Sequence, residues 1–194
     1  MIVGIDAITY VVEDVELCCR FLDPERLRGA HPVEVGHLVL FTDRLAEMER
    51  FYVGSLGFIV SDRYPGRGVF MRCTPEGGHH DVFVLQTPDS RPGLNHVASA
   101  VRDIHEVFGG GLHISRCGWS TEIGPGRHPV SSAYFWYVKS PAGGLAEYCS
   151  DEDYVTPAWQ PRELKPSPEV FAEWAITGGK IGRASCRERV YVLV

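Results

Sequence analysis

Long apolar runs are missing: no stretch of the 194 residues approaches the roughly 20 consecutive apolar side chains of a membrane-spanning helix. Basic charge is scarce as well, with 19 Lys and Arg against 25 Asp and Glu and a formal charge of −6. The last fourteen residues hold three Arg against one Glu, which leaves residues 1–180 at −8. An acidic body without a basic stripe speaks against nucleic acid as a partner. The six cysteines, Cys18, Cys19, Cys73, Cys117, Cys149 and Cys186, form no Cys-x-x-Cys pair. The spacing of roughly two to four residues typical of structural zinc ligand pairs is therefore absent. A chain of this length with 44% hydrophobic content has core enough to fold without a disulfide frame, so the six are read as reduced thiols.

The opening segment "MIVGIDAITYVVED" has neither a basic n-region nor a small-residue cleavage site. A cytoplasmic protein is the expectation. At the other end, "IGRASCRERV", Ile181 to Val190, resembles a sequencing adapter read as coding sequence. Residues 181–194 are therefore set aside as an artefactual tail.

What is there is a repeat. "IDAITYVVEDVELCCRF" from Ile5, "VGHLVLFTDRLAEMERF" from Val35 and "LNHVASAVRDIHEVF" from Leu94 share one outline: an alternating apolar strand, an Asp or Arg, then apolar residues at helical spacing. Ala7, His37 and His96 occupy the same point of each copy. After the second copy, "GFIVSDRYP", "GVFMRCT" and "HHDVFVLQT" read as strands between Pro/Gly turns, giving a βαβββ unit over about 35–90. After the third, "RCGWSTEIG", "SAYFWYVKS" and "GLAEYCSD" give another over about 94–151. Residues 1–30 are too few for a unit and are expected to be an orphan strand and helix, the remnant of a truncated N-terminal module.

Tandem βαβββ units with His at matching places resemble the vicinal oxygen chelate superfamily. The resemblance spans about residues 33–155 and implies an α+β fold, its paired modules curled into an incomplete barrel around a metal. The Pro-rich segment after it, 156–180, ends in the helix-like "EVFAEWAI" and is expected to wrap that barrel, with Trp159 and Trp174 covering apolar surface.

Strand alternation puts His37 with Val39 and Phe41, His96 with Ala98 and Ala100, and Glu147 with Leu145 and Cys149. Each polar group thus sits among small or apolar companions and points into one cavity if the units close on each other. Two imidazoles and a carboxylate with open positions suit non-haem Fe(II). Taken singly, each His reads better as a hydrogen-bonded core or rim residue; the three together, at repeat-related positions, read as metal ligands.

Within the superfamily the likeness is to type I extradiol ring-cleaving dioxygenases. "SPAGGLAEY" matches the family pattern that ends in its last metal ligand, here Glu147; Tyr137 lies ten residues before it, and His128 follows Gly-Arg nine before that. His79 and His80 match a family His-His pair, with His80 the catalytic one. The resemblance implies an Fe(II) enzyme, with Mn(II) as the alternative, that takes a small aromatic diol and O₂, cleaves the ring and forms a homo-oligomer. It assigns His37, His96 and Glu147 to the metal and His80, His128 and Tyr137 to catalysis. An imidazole suits proton transfer near neutral pH, while Tyr137 shares a hydrogen bond with a substrate oxygen to which His128 also donates. Val130 and Ser131 stand where dihydroxybiphenyl-cleaving members carry Asn and Asp, which leaves the substrate open. Two other functions stay in view: a glyoxalase-type isomerase, which has no need of the His80, His128 and Tyr137 set, and a metal-free small-molecule binding protein. His31, His105 and His113 are read as surface residues.

Overall fold

The computed structural model describes residues 14–17, 29–89 and 91–177. The strand expected within residues 1–30 and the tail 181–194 lie outside these, as do Cys18, Cys19 and Cys186. Among the described residues Cys73, Cys117 and Cys149 are free thiols, and no helix is long and apolar enough to cross a membrane.

The first module runs β1 (Glu34–Phe41), helix α1 (Leu45–Glu49, continuing as a π-helix over Arg50–Ser55), β2 (Ile59–Tyr64), β3 (Gly68–Arg72), the two-residue β4 (Gly77–Gly78) and β5 (Val82–Leu85). The second repeats the plan with β6 (Gly93–Ala100), α2 (Ile104–Arg116), β7 (Thr121–Arg127), β8 (Tyr134–Lys139) and β9 (Leu145–Ser150). Three short strands follow, β10 (Tyr154–Val155), β11 (Arg162–Glu163) and β12 (Trp174–Thr177), with helix α3 (Pro168–Phe171) before the last.

Ten strands form one sheet in the order β11-β2-β3-β5-β1-β6-β9-β8-β7-β12. Its centre is the antiparallel pair β1 and β6, the first strand of each module. On either side the first strand pairs in parallel with the last of its own module, β1 with β5 and β6 with β9. The repeat seen in the sequence is thus a two-fold pattern in the sheet.

Each helix covers its own module. Leu45, Met48 and Tyr52 pack on Phe58, Val69, Met71, Val82 and Val84. Val107 and Ile114 of α2 pack on Val101, Trp136, Val138 and Tyr148. Each such side chain taken fully from water contributes about 1.5–3 kcal/mol. Helix α2 is capped by Asp103, whose side chain accepts from Glu106 N, and runs through Gly109, Gly110 and Gly111 to Arg116. Three glycines weaken a helix by propensity, but here they are what lets it approach the sheet. A β-carbon on Gly111 would stand 2.1 Å from the Trp136 ring, and one on Gly110 would stand 2.8 Å from Tyr148.

The segment after β9 joins the two ends of the sheet order. β11 pairs in parallel with β2, and β12 pairs antiparallel with β7. The helix expected over "EVFAEWAI" stops at Phe171, and Trp174–Thr177 is a strand. The reason lies in the edge of β7: its free backbone groups take the chain, with Glu173 N donating to Arg127 O, while extended Ala172 is wholly buried. Trp159 stacks edge-on against His79 and donates Nε1–H to Ser61 O, and Trp174 lies beside Tyr134.

Candidate metal centre

One row of the sheet carries most of the site. His37 on β1 is in register with Ala98 on β6, Ala98 with Glu147 on β9, and Glu147 with Tyr137 on β8. His96 lies diagonally from His37, opposite Val39. In a flat sheet His37 and Glu147 would stand about two strand spacings, ~9.6 Å, apart. Curvature and side-chain length bring their atoms far closer: His37 Nε2 is 3.2 Å and His96 Nε2 3.1 Å from Glu147 Oε2, and the two Nε2 atoms are 3.2 Å apart. Ala98, fully buried between them, contributes only a methyl group.

This triangle fits a divalent ion. Perpendicular ligands at about 2.1 Å from a metal stand ~3.0 Å apart. Among the described residues neither oxygen of Glu147 takes a hydrogen bond of normal geometry, although the residue is only 2% exposed. A buried carboxylate without partners costs several kcal/mol, and two imidazole lone pairs facing it are what an ion satisfies. On the far edge, His96 Nδ1 lies 2.6 Å from Asn95 Oδ1, which accepts its proton and turns Nε2 inward. His37 Nδ1 has no such partner among the described residues.

The charges are coupled. Burial alone would raise the Glu147 carboxyl, but His37 and His96 overcome it and hold it far below the usual carboxylate range. Burial opposes a charged His37; Glu147, with Glu152 and Asp81 farther off, outweighs that and raises it above the ordinary histidine value. His96 is pushed down, burial prevailing over Glu147.

The residues assigned to catalysis surround the triangle. His80 lies in the turn between β4 and β5, two residues before the strand expected to hold it, and its ring sits 4.2 Å from that of His37. Its Nδ1 is 3.0 Å from Glu152 Oε1 and 3.2 Å from His79 Nδ1. Burial and the neighbouring imidazoles keep His80 well below the ordinary value, so it is neutral. His128 Nε2 is 2.9 Å from Tyr137 Oη and 3.8 Å from Glu147 Oε1. Its Nδ1 is 2.6 Å from Phe171 O, an oxygen that only accepts. Nδ1 therefore carries the hydrogen, and the neutral ring accepts at Nε2 from the Tyr137 hydroxyl. Donation from His128 Nε2 to a substrate oxygen, as expected from the sequence, requires the imidazolium. Burial lowers His128 to about 4. Burial and the Glu147 charge keep Tyr137 a phenol, well above its usual value.

A cavity of about 330 Å³ opens beside His96 and Tyr137. Its walls are mainly apolar, with Val39, Phe83, Leu85, Leu145 and Phe171 among them, and Tyr64 and Arg67 also line it. Helix α3 thus does more than wrap the sheet, since Phe171 and the preceding Pro166 and Ser167 form part of the chamber.

A second donor group, His37, His80 and Glu152, shares His37 with the first, its atoms within 4.8 Å of one another. It fits an ion less well: burial raises Glu152 to about 8, so near neutral pH this carboxyl holds a proton. Sequence reasoning missed Glu152, which lies in what reads as the acidic turn "SDEDY", and also Asp62 and Arg162. Asp62 is hidden because a bulge between Val60 and Asp62 breaks the alternation of β2 and buries Ser61 and Asp62 in succession. His31 is paired with Glu106 and lies on the surface, remote in sequence from these residues.

The sequence and the fold have known counterparts. Residues 34–148 match the model of the Glyoxalase/Bleomycin resistance protein/Dioxygenase superfamily. Metapyrocatechase 2 of Cupriavidus necator is 36% identical over 129 residues, covering 66% of this chain and 39% of the relative. A manganese-dependent 2,3-dihydroxybiphenyl 1,2-dioxygenase of Geobacillus genomosp. 3 is 26% identical over 144 residues, covering 70% of this chain and 45% of the relative. Among solved structures, the Mn(II)-bound glyoxalase from Novosphingobium aromaticivorans superposes with a TM-score of 0.69 at 32% identity, covering 77% of this chain and 48% of that one. The chain spans less than half the length of each of these three. A match over residues 34–148, carried by the same two modules that build the sheet, has one consequence: this chain belongs to the Glyoxalase/Bleomycin resistance protein/Dioxygenase superfamily.

Proposed function

We propose that this chain is an extradiol dioxygenase that opens a catechol-type ring with O₂, using Fe(II), or alternatively Mn(II), held by His37, His96 and Glu147. The observation that carries the reading is the presence of three further proton-bearing side chains, His80, His128 and Tyr137, around the donor triangle. The names of the dioxygenase relatives support it.

His37, His96 and Glu147 would hold the ion, which would supply Lewis acidity for the diol and O₂. The protein's own groups do the rest. Apolar walls exclude water and hold the ring, which strengthens every polar contact inside. Neutral His80 accepts a proton from the bound diol and later returns it, a role an imidazole fills near neutral pH. Tyr137, kept as a phenol and tied to His128, offers its oxygen at the chamber wall. The Phe171 carbonyl fixes the His128 ring, so this pair is held before substrate arrives.

The test is reconstitution with Fe(II) under argon, addition of a panel of catechols, and then O₂. Oxygen uptake with a yellow product is expected. A second reading, a metal-dependent isomerase of the glyoxalase type, is favoured by the 32% identity to the Mn(II)-bound glyoxalase. Isomerisation of a thiohemiacetal without oxygen uptake on any catechol would establish that reading instead.

A further inference from the structure

A buried chain of polar groups runs from the sheet edge to His80, whose ring lies 4.2 Å from that of His37. Arg162 on β11 is in register with Asp62 on β2. It grips that carboxylate with its side chain, Nη2 at 2.5 Å and Nε at 3.1 Å from Oδ2, and with its backbone N at 2.7 Å from Oδ1. Asp62 Oδ2 lies 2.8 Å from His79 Nε2, and His79 Nδ1 lies 3.2 Å from His80 Nδ1. The side chains of Asp62 and His79 are wholly buried. Trp159 seals the outer side, its ring against His79 and under the Arg162 guanidinium.

The hydrogens of this chain follow from what each group can do. An Asp carboxylate bound by a guanidinium is ionised and only accepts. His79 Nε2 must then be the donor. In the tautomer that donates from Nε2, His79 presents a lone pair at Nδ1, and two ring nitrogens 3.2 Å apart need one hydrogen between them. That hydrogen belongs to His80 Nδ1. Glu152 Oε1 lies 3.0 Å from the same nitrogen but makes no hydrogen bond of normal geometry with it. Glu152 is held there by the fold: β4 pairs with β10, and Glu152 Oε2 occupies the space that a β-carbon on Gly78 would take, 2.8 Å away.

We propose that Asp62 and His79 are positioning residues that fix His80 in the tautomer with hydrogen on Nδ1, leaving Nε2 as a free lone pair for the substrate's proton. Among the described residues His80 Nε2 takes no hydrogen bond, in keeping with an atom kept open. The proposal rests on the reading of His80 as the base of a ring-cleaving dioxygenase. It adds the reason for the His-His pair: the second imidazole does the chemistry, and the first, anchored through Asp62, sets which of its nitrogens is basic. Outer partners of this kind change activity by about 10–100-fold when removed.

The experiment reads the tautomer directly. Full-length protein with ¹⁵N-labelled histidine, loaded with Zn(II) as a diamagnetic probe, is examined by long-range ¹H–¹⁵N correlation, with His80 assigned by its disappearance in His80→Gln. The expected spectrum has a protonated Nδ1 and an unprotonated Nε2. In His79→Phe the two tautomers should mix, kcat of the Fe(II) enzyme should fall ~10–100-fold, and KM and bound metal should stay unchanged. His79→Asn, which keeps an acceptor oxygen near the Nδ1 position, should recover much of the loss. A hydrogen on His80 Nε2 in the wild type overturns the proposal, as does a folded His79→Phe with unaltered tautomer and kcat. If His79→Phe does not fold, the wild-type spectrum decides alone. The expected tautomer in a protein that cleaves no catechol would remove the dioxygenase reading while leaving the hydrogen assignment in place.

Discussion

His37 and Glu147 face each other across Ala98. The two residues belong to different modules and to strands that are not neighbours, and the strand between them offers a methyl group at the shared register position. The space an ion needs is therefore the space a larger residue at 98 would fill. Ala98→Leu should abolish metal binding and, by overpacking a wholly buried position, destabilise the fold by about 1–3 kcal/mol. Metal analysis of the purified protein and a urea denaturation curve check both parts.

Metal should stabilise the chain in proportion to its affinity. At a free concentration a hundredfold above Kd the gain is about 2.7 kcal/mol, or ~5–10 °C in Tm for a chain of this size. Glu147→Ala removes an acceptor that is 2% exposed and should lose the metal-dependent shift altogether. Thermal scans with and without chelator, on both proteins, provide the measurement.

Tyr137→Phe takes away the hydroxyl bonded to His128 Nε2 but none of the triangle. Metal content should be retained while kcat falls by roughly 10²-fold, the lower range for loss of a positioned proton donor or acceptor. Single-turnover kinetics on a catechol the wild type accepts would separate this from weaker substrate binding.

Asp62 gives the protein an acid-sensitive element. Burial would raise its carboxyl, but hydrogen bonds from His79 and Arg162 carry it below the usual value. A depressed folded-state value means stability that is fully present above the unfolded-state value of about 3.9 and lost as pH falls through the folded one. Asp62→Asn should flatten that acid limb in pH-dependent denaturation. At neutral pH it should cost about 3–5 kcal/mol, toward the lower end because the Arg162 side chain is 40% exposed.

Much of this architecture is legible in the sequence because period-2 alternation and the repeat act together. His37 and His96 could be paired from their place in the repeat, and the residues on their faces followed from alternation. Local pattern failed where tertiary contacts override it. Helix α2 passes through Gly109, Gly110 and Gly111 because Trp136 and Tyr148 need the room, a requirement no local propensity records. The chain at Trp174 becomes strand because β7 has an open edge. Asp62 and Glu152 escaped notice for a related reason. A bulge hid the first, and the second acts through β4 and β10, strands of two residues each that carry no periodic signal.

The central claim, that one ion is gripped by His37, His96 and Glu147, is tested most directly by anomalous diffraction from crystals of the full chain grown with Mn(II). The account predicts a single peak bonded to His37 Nε2, His96 Nε2 and Glu147 Oε2, the three atoms now 3.1–3.2 Å apart. A peak held instead by His37, His80 and Glu152, or no peak in this chamber at saturating Mn(II), would contradict it.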